Sequence, residues 1–183
     1  MVLLLTMFCV LFLLLPACES GEPAASEEEA PTLTLSSSAF GEGERIPEKY
    51  TCKGQNISPP LAWSEPPERT RCFVLIMDDP DAPGIIFTHW VLFNLPPDAR
   101  EIAEGVSARA KLANGALHGR NGFLRLGYRG PCPPPGFAHH YRFTLYALDK
   151  PLPLAAGAFR AQVLDAMQRH ILAEGLLTGT QER

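Results

Sequence analysis

Eighteen prolines and fifteen glycines cut this chain of 183 residues into short stretches, and that punctuation limits what it can fold into. Proline fixes φ, lacks an N–H donor and pushes its predecessor away from the helical region. The runs between breakers suit strands. Arg71 to Met77 and Thr88 to Leu95 are apolar and rich in β-branched or aromatic residues, as buried central strands are. In Phe143 to Leu148, Thr144 and Tyr146 alternate with Phe143, Leu145 and Ala147, which predicts a third strand. Thr32 to Leu35 opens the domain as a strand, Leu61 to Trp63 adds a short one, and Ile46 to Cys52 is extended. The pattern favours an all-β sandwich over a parallel α/β sheet. One helix is expected, between Ala158 and Leu176. There Phe159, Val163, Leu164, Met167, Ile171 and Leu172 recur at three- and four-residue steps, and Gly175 serves as the stop.

The first 31 residues are not core. Met1 to Ala17 is apolar, uncharged and too short to span a bilayer, so residues 1–17 are read as a secretory signal. Its end, Leu15-Pro16-Ala17-Cys18, resembles a bacterial lipobox, with Cys18 as the lipidated mature N-terminus. An ordinary signal peptide or a retained anchor is the alternative. Residues 18–31 form an acidic tether that cannot bury enough surface to fold. Five of the 20 acidic residues lie there, leaving 15 against 16 Lys and Arg in the remainder, so residues 32–183 form a near-neutral domain. Such a domain has no broad electrostatic footprint for nucleic acid.

Cys52, Cys72 and Cys132 fall in the domain and can form one bridge, with three pairings open. Without a Cys-x-x-Cys pair, a structural zinc site is not expected. Cys132, between Pro131 and Pro133, is also readable as a free thiol near a ligand.

Polar chemistry gathers in two loops. Met77-Asp78-Asp79-Pro80-Asp81-Ala82-Pro83 closes one apolar run, and Thr88-His89-Trp90 opens the next. Downstream lie Gly127-Tyr128-Arg129-Gly130-Pro131-Cys132-Pro133-Pro134 and His139-His140-Tyr141. Each piece alone has a structural reading: a turn, a satisfied histidine, a polyproline connector. Together they suggest two walls of one pocket.

The combination resembles the phosphatidylethanolamine-binding protein family, in its bacterial Raf kinase inhibitor-like branch, from Leu33 to Thr180. The matching pieces include Asn56-Ile57-Ser58-Pro59-Pro60-Leu61-Ala62-Trp63, Asp79-Pro80-Asp81-Ala82-Pro83, Thr88-His89-Trp90, Gly119-Arg120-Asn121 and Gly130-Pro131-Cys132-Pro133-Pro134. The resemblance implies a mainly β fold: a Greek-key antiparallel β-sandwich with a C-terminal helix. It also implies an anion pocket of Asp79, Asp81, His89, Gly130, Pro131, His139 and Tyr141, and a cis Ala82–Pro83 bond.

In that pocket His89 and His139 become cationic near neutrality, Tyr141 supplies a hydroxyl, and N–H groups around Gly130 form an anion nest. Asp79 and Asp81 orient the histidines and raise their pKa. The expected function is exported, non-catalytic binding of a small anion or phosphorylated headgroup, at the membrane through the lipid anchor. No cofactor is implied, and no nucleophile elbow, P-loop or His-Glu-x-x-His motif is present. The alternatives are an interaction module that inhibits a kinase or protease, and a metal-dependent hydrolase using His89, His139 and Asp79. Arg120, Arg125, Arg129 and Arg142 form either a solvated face or an attractor for anionic ligands. No apolar groove for lipid tails is evident in the sequence.

Overall fold

The proline-bounded runs fold as antiparallel strands. A computed structural model describes residues 32–183; the leader of residues 1–17, the tether and Cys18 lie outside the described residues. The strands are Leu35–Ser36 (β1), Leu61–Trp63 (β2), Cys72–Asp79 (β3), Phe87–Leu95 (β4), Glu101–Ile102 (β5), Leu117–His118 (β6), His139–Leu148 (β7) and Ile171–Gln181 (β8). One helix, Arg160–Met167 (α1), completes the set among the described residues. A five-stranded sheet has the order β6-β4-β3-β7-β8, and a three-stranded sheet the order β1-β2-β5.

The large sheet buries both faces, which is why its central strands read as continuous apolar runs. Its inner face, through Phe73, Leu75, Met77, Phe143 and Leu145, packs on Leu35, Leu61, Trp63 and Ile102 of the small sheet. Its outer face, through Val74, Ile76, Val91 and Phe93, packs on Val163 and Met167 of α1.

The expected helix from Ala158 to Leu176 is corrected: it ends at Met167, and a strand of eleven residues follows. The period changes at that boundary. Val163 and Met167 are buried at helical spacing, whereas Ala173, Gly175, Leu177, Gly179 and Gln181 are buried at every second position. The helix is therefore not C-terminal, because β8 follows it and pairs along the whole of β7. Gly175 is no helix stop. A Cβ there would stand 2.7 Å from the Leu33 carbonyl oxygen, so glycine lets the N-terminal segment cross β8. Smaller shifts occur elsewhere: Thr32 makes only a bridge to Glu174, and Glu48–Tyr50 is a single 3-10 turn inside the segment expected as extended.

Cys52 pairs with Cys132, which settles the open pairing and removes Cys132 as a free thiol. Cys72 is free and buried, and burial pushes its thiol up to about 12. No peptide bond among the described residues is cis, so the cis bond expected at Ala82–Pro83 is also corrected.

His118 sets a pH limit on this core. It is fully buried, its Nδ1 donates to the Arg109 carbonyl at 2.8 Å, and its Nε2 has no partner among the described residues. Burial lowers its pKa below the ordinary 6.5, with the Arg109 carbonyl opposing. The folded protein thus excludes a proton that the unfolded chain accepts. Stability is full above the unfolded value and declines as pH falls below it, until the folded pKa is reached. The slope from this group reaches about 1.4 kcal/mol per pH unit. Denaturant titrations from pH 7.5 to 5 should show a shallower decline for His118→Gln than for the parent. Equal slopes would remove His118 as the cause.

Candidate functional site

A bulge in β4 builds the site. Met77 of β3 faces Trp90 and Asp78 faces Thr88, so His89 is the extra residue between two registered pairs. A bulge re-aims the side chain at the irregularity. The result is that His89 and Trp90, adjacent in sequence, both turn inward, while Thr88 turns outward and donates to Asp78 at 2.7 Å. On β7, His139 and Tyr141 occupy alternate inward positions beside the end of β3. The end of β3 and the starts of β4 and β7 therefore lie together.

There Asp79, His89, His139 and Tyr141 line one cleft of about 200 Å³, with Phe87 and Phe123 on one wall and Cys132, Pro133 and Pro134 on another. His139 Nδ1 donates to Asp79 Oδ2 at 2.8 Å, with side chains only 2% and 5% exposed. The other carboxylate oxygen, Oδ1, accepts the Asp81 N–H at 2.9 Å. His89 Nδ1 donates to the Arg129 carbonyl at 2.7 Å. The imidazoles are also held edge-on or stacked by rings: His89 lies 5.2 Å from Tyr141 and 5.3 Å from Phe87, and Phe137 stacks on His139 at 5.0 Å.

Burial lowers the His89 pKa, against the opposing pull of the Arg129 carbonyl and of Asp79 and Asp78. This corrects the expectation of a histidine kept charged by its acidic neighbours: desolvation outweighs them. With Nδ1–H committed to a carbonyl, neutral His89 presents the lone pair of Nε2. Burial, then the nearby charge of Asp79, raise the Tyr141 pKa far above its ordinary value, so its hydroxyl keeps its proton.

Three expected members play other parts. Asp81 turns away from the cleft histidines and binds His140, through its N–H at 2.7 Å and its Nδ1 at 2.8 Å. That contact, with desolvation opposing, holds the Asp81 carboxyl below its ordinary range. The Gly130 N–H is not a free nest donor, since it donates to Asn56 Oδ1 at 2.7 Å. Pro131 gives its carbonyl to the Cys52 N–H at 3.0 Å. Gly130 and Pro131 thus fasten the loop that carries Cys132 and Pro133 rather than lining the cleft. A Cβ on Gly130 would lie 2.1 Å from the Tyr50 carbonyl oxygen, so the closeness of these loops requires glycine. His89, His139 and Asp79 do not form a metal-ready group, and no set of three or more such ligands occurs among the described residues.

Sequence reasoning passed over the aromatic walls. Phe87 carried a signal, since it stands two residues before His89 in a strand and shares its face. Phe123 and Phe137 sit in loops and carried none.

A family model described as phosphatidylethanolamine-binding protein matches residues 36–182. The chain belongs to the phosphatidylethanolamine-binding protein family. A UPF0098 protein of Methanothermobacter thermautotrophicus is 48% identical over 151 residues, covering 82% of this chain and 99% of that relative. Among solved structures, a phosphatidylethanolamine-binding protein homologue from Chlamydia trachomatis matches with a TM-score of 0.76 at 39% identity, covering 84% of this chain and 99% of that one. YbcL of E. coli, described as a new member of the mammalian PEBP family, matches with a TM-score of 0.77 at 32% identity, covering 82% and 98%. The family's fold is thus this chain's fold, with two antiparallel sheets and a single helix among the described residues.

Proposed function

We propose that the cleft binds a small phosphate-type anion, free or as a phospholipid headgroup, and that the protein is an exported, non-catalytic member of its family. The convergence of Asp79, His139, His89 and Tyr141 in one cleft carries this reading. Asp79 spends its charge on His139 and on the Asp81 N–H, and so acts as an orienting group. What remains for a ligand is the Tyr141 hydroxyl and the second nitrogen of each imidazole. The Cys52–Cys132 bridge fits an oxidising compartment, and the apolar leader ending at Cys18 fits delivery there as a lipoprotein.

Neutral His89 offers only an acceptor, so a fully ionised diester must take up a proton with it. Affinity should therefore rise as pH falls toward the lowered pKa of His89 in the free protein, by up to about tenfold per pH unit. Titration calorimetry with dimethyl phosphate at pH 7.5 and 5.5 reads this directly, because that anion stays charged at both. His89→Asn should flatten the difference. Equal affinity of the parent protein at the two pH values would count against the reading.

A further inference from the structure

The cleft opens inside a collar of exposed apolar side chains that its chemistry does not use. Ile85 and Ile86 at the β3–β4 turn are 65% and 54% exposed, and Leu124 is 64%. Ile85, Ile86, Leu124 and Phe159 line a second groove of about 300 Å³, which shares Phe87 with the cleft as its dividing wall. Large apolar side chains grouped on a surface mark an interaction site, whereas scattered ones need no explanation.

The collar is built rather than loose. Buried Asn121 accepts the N–H groups of Phe123 and Arg125 at 3.0 and 3.1 Å and donates to the Gly127 carbonyl at 3.0 Å. Leu124 is held at φ 60°, a conformation that disfavours a leucine, yet it points an isobutyl group outward. Charge identifies the occupant. On the β3–β4 side the carboxylates are already engaged, Asp78 by Arg160 and Asp81 by His140, whereas Arg120, Arg125 and Arg129 have no carboxylate partner among the described residues. Arg120 donates to the Leu124 carbonyl at 2.9 Å, and Arg129 lies 5.7 Å from the Phe123 ring centre. Arginines in the β6–β7 connection beside the aliphatic tips of that connection and of the β3–β4 turn match the boundary between anionic headgroups and acyl chains.

The geometry points to this end of the sheet as a seat on an anionic lipid bilayer, with Ile85, Ile86 and Leu124 entering the interface. The seat is separate from ligand binding in the cleft, and a bilayer would hold it with the cleft empty.

Residues 32–183 are the unit to test, since the matched relatives consist almost wholly of this part and so show that it folds alone. Co-sedimentation with phosphatidylglycerol–phosphatidylcholine vesicles should capture it, and pure phosphatidylcholine should capture much less. Ile86→Asp combined with Leu124→Asp should lower the bound fraction by about tenfold or more, with dimethyl phosphate affinity and thermal unfolding unchanged. No capture of the parent domain overturns the proposal, as does an unaffected double variant. Loss of dimethyl phosphate binding in that variant also overturns it, because the collar would then be part of the cleft. So does a matching loss of affinity for monomeric dihexanoyl phosphatidylglycerol, since the groove would then hold one acyl chain. Failure of the cleft reading shows instead in calorimetry of the parent domain, with vesicle capture intact.

Discussion

Asp79→Ala is expected to destabilise the fold by about 3 kcal/mol and to abolish anion binding in the cleft. The carboxylate is almost inaccessible and satisfies two donors, the buried His139 Nδ1 and the half-buried Asp81 backbone N–H. Alanine leaves both without an acceptor in a site that water scarcely reaches, and that desolvation outweighs the small apolar area gained. Asp79→Asn separates the two consequences. Its amide oxygen can still accept one of the two donors, so it should lose only about 1 kcal/mol, within the range of a single hydrogen bond. Binding should fall in both variants, because alanine leaves His139 Nδ1 with no acceptor and asparagine offers one oxygen to two donors. Urea unfolding and calorimetry on the same preparations check both halves. A cost below about 1 kcal/mol for the alanine variant would mean that the pair orients nothing that stability depends on.

The sequence and the structure part company at identifiable physical points. The central strands were legible because both faces of the large sheet are buried, so composition alone announces them. The helical pattern runs on past Met167 because Ile171 and Leu172 continue a three- and four-residue step. The Leu33 and Ile46 segments that make Gly175 and Gly179 necessary lie far away in the chain. In the site, Asp79, His89, His139 and Tyr141 were visible as residue types at strand ends. The bulge that turns His89 inward was not, since it exists only in the pairing of β3 with β4. The same holds for Gly130, whose N–H is taken by Asn56, 74 residues away in sequence. The charge state of His89 is hidden in the sequence for a related reason. Acidic neighbours of His89 can be read along the chain, but the depth of its burial cannot.

Removing the Cys52–Cys132 bridge should separate stability from binding. The two cysteines are 80 residues apart, and the chain-entropy model assigns about 4.5 kcal/mol to closing such a loop in the unfolded state. Bridges commonly deliver less, so the Cys52→Ser, Cys132→Ser double variant should lose about 3 kcal/mol, or roughly 10 °C in Tm for a domain of this size. The cleft wall itself should hold. Three other bonds join the same loops: Cys52 N–H to the Pro131 carbonyl at 3.0 Å, Tyr128 hydroxyl to the Tyr50 carbonyl at 2.7 Å, and Gly130 N–H to Asn56 at 2.7 Å. Because the bridge acts mainly on the unfolded chain, dimethyl phosphate affinity should stay within about threefold, well under 1 kcal/mol. Reducing the parent protein should lower its Tm to that of the variant and leave the variant unmoved. An unchanged Tm in the variant would show that the unfolded chain gains no freedom when the bridge is lost. A collapse of affinity with the fold intact would show that the bridge, and not those three bonds, positions Pro133 and Pro134 beside His139.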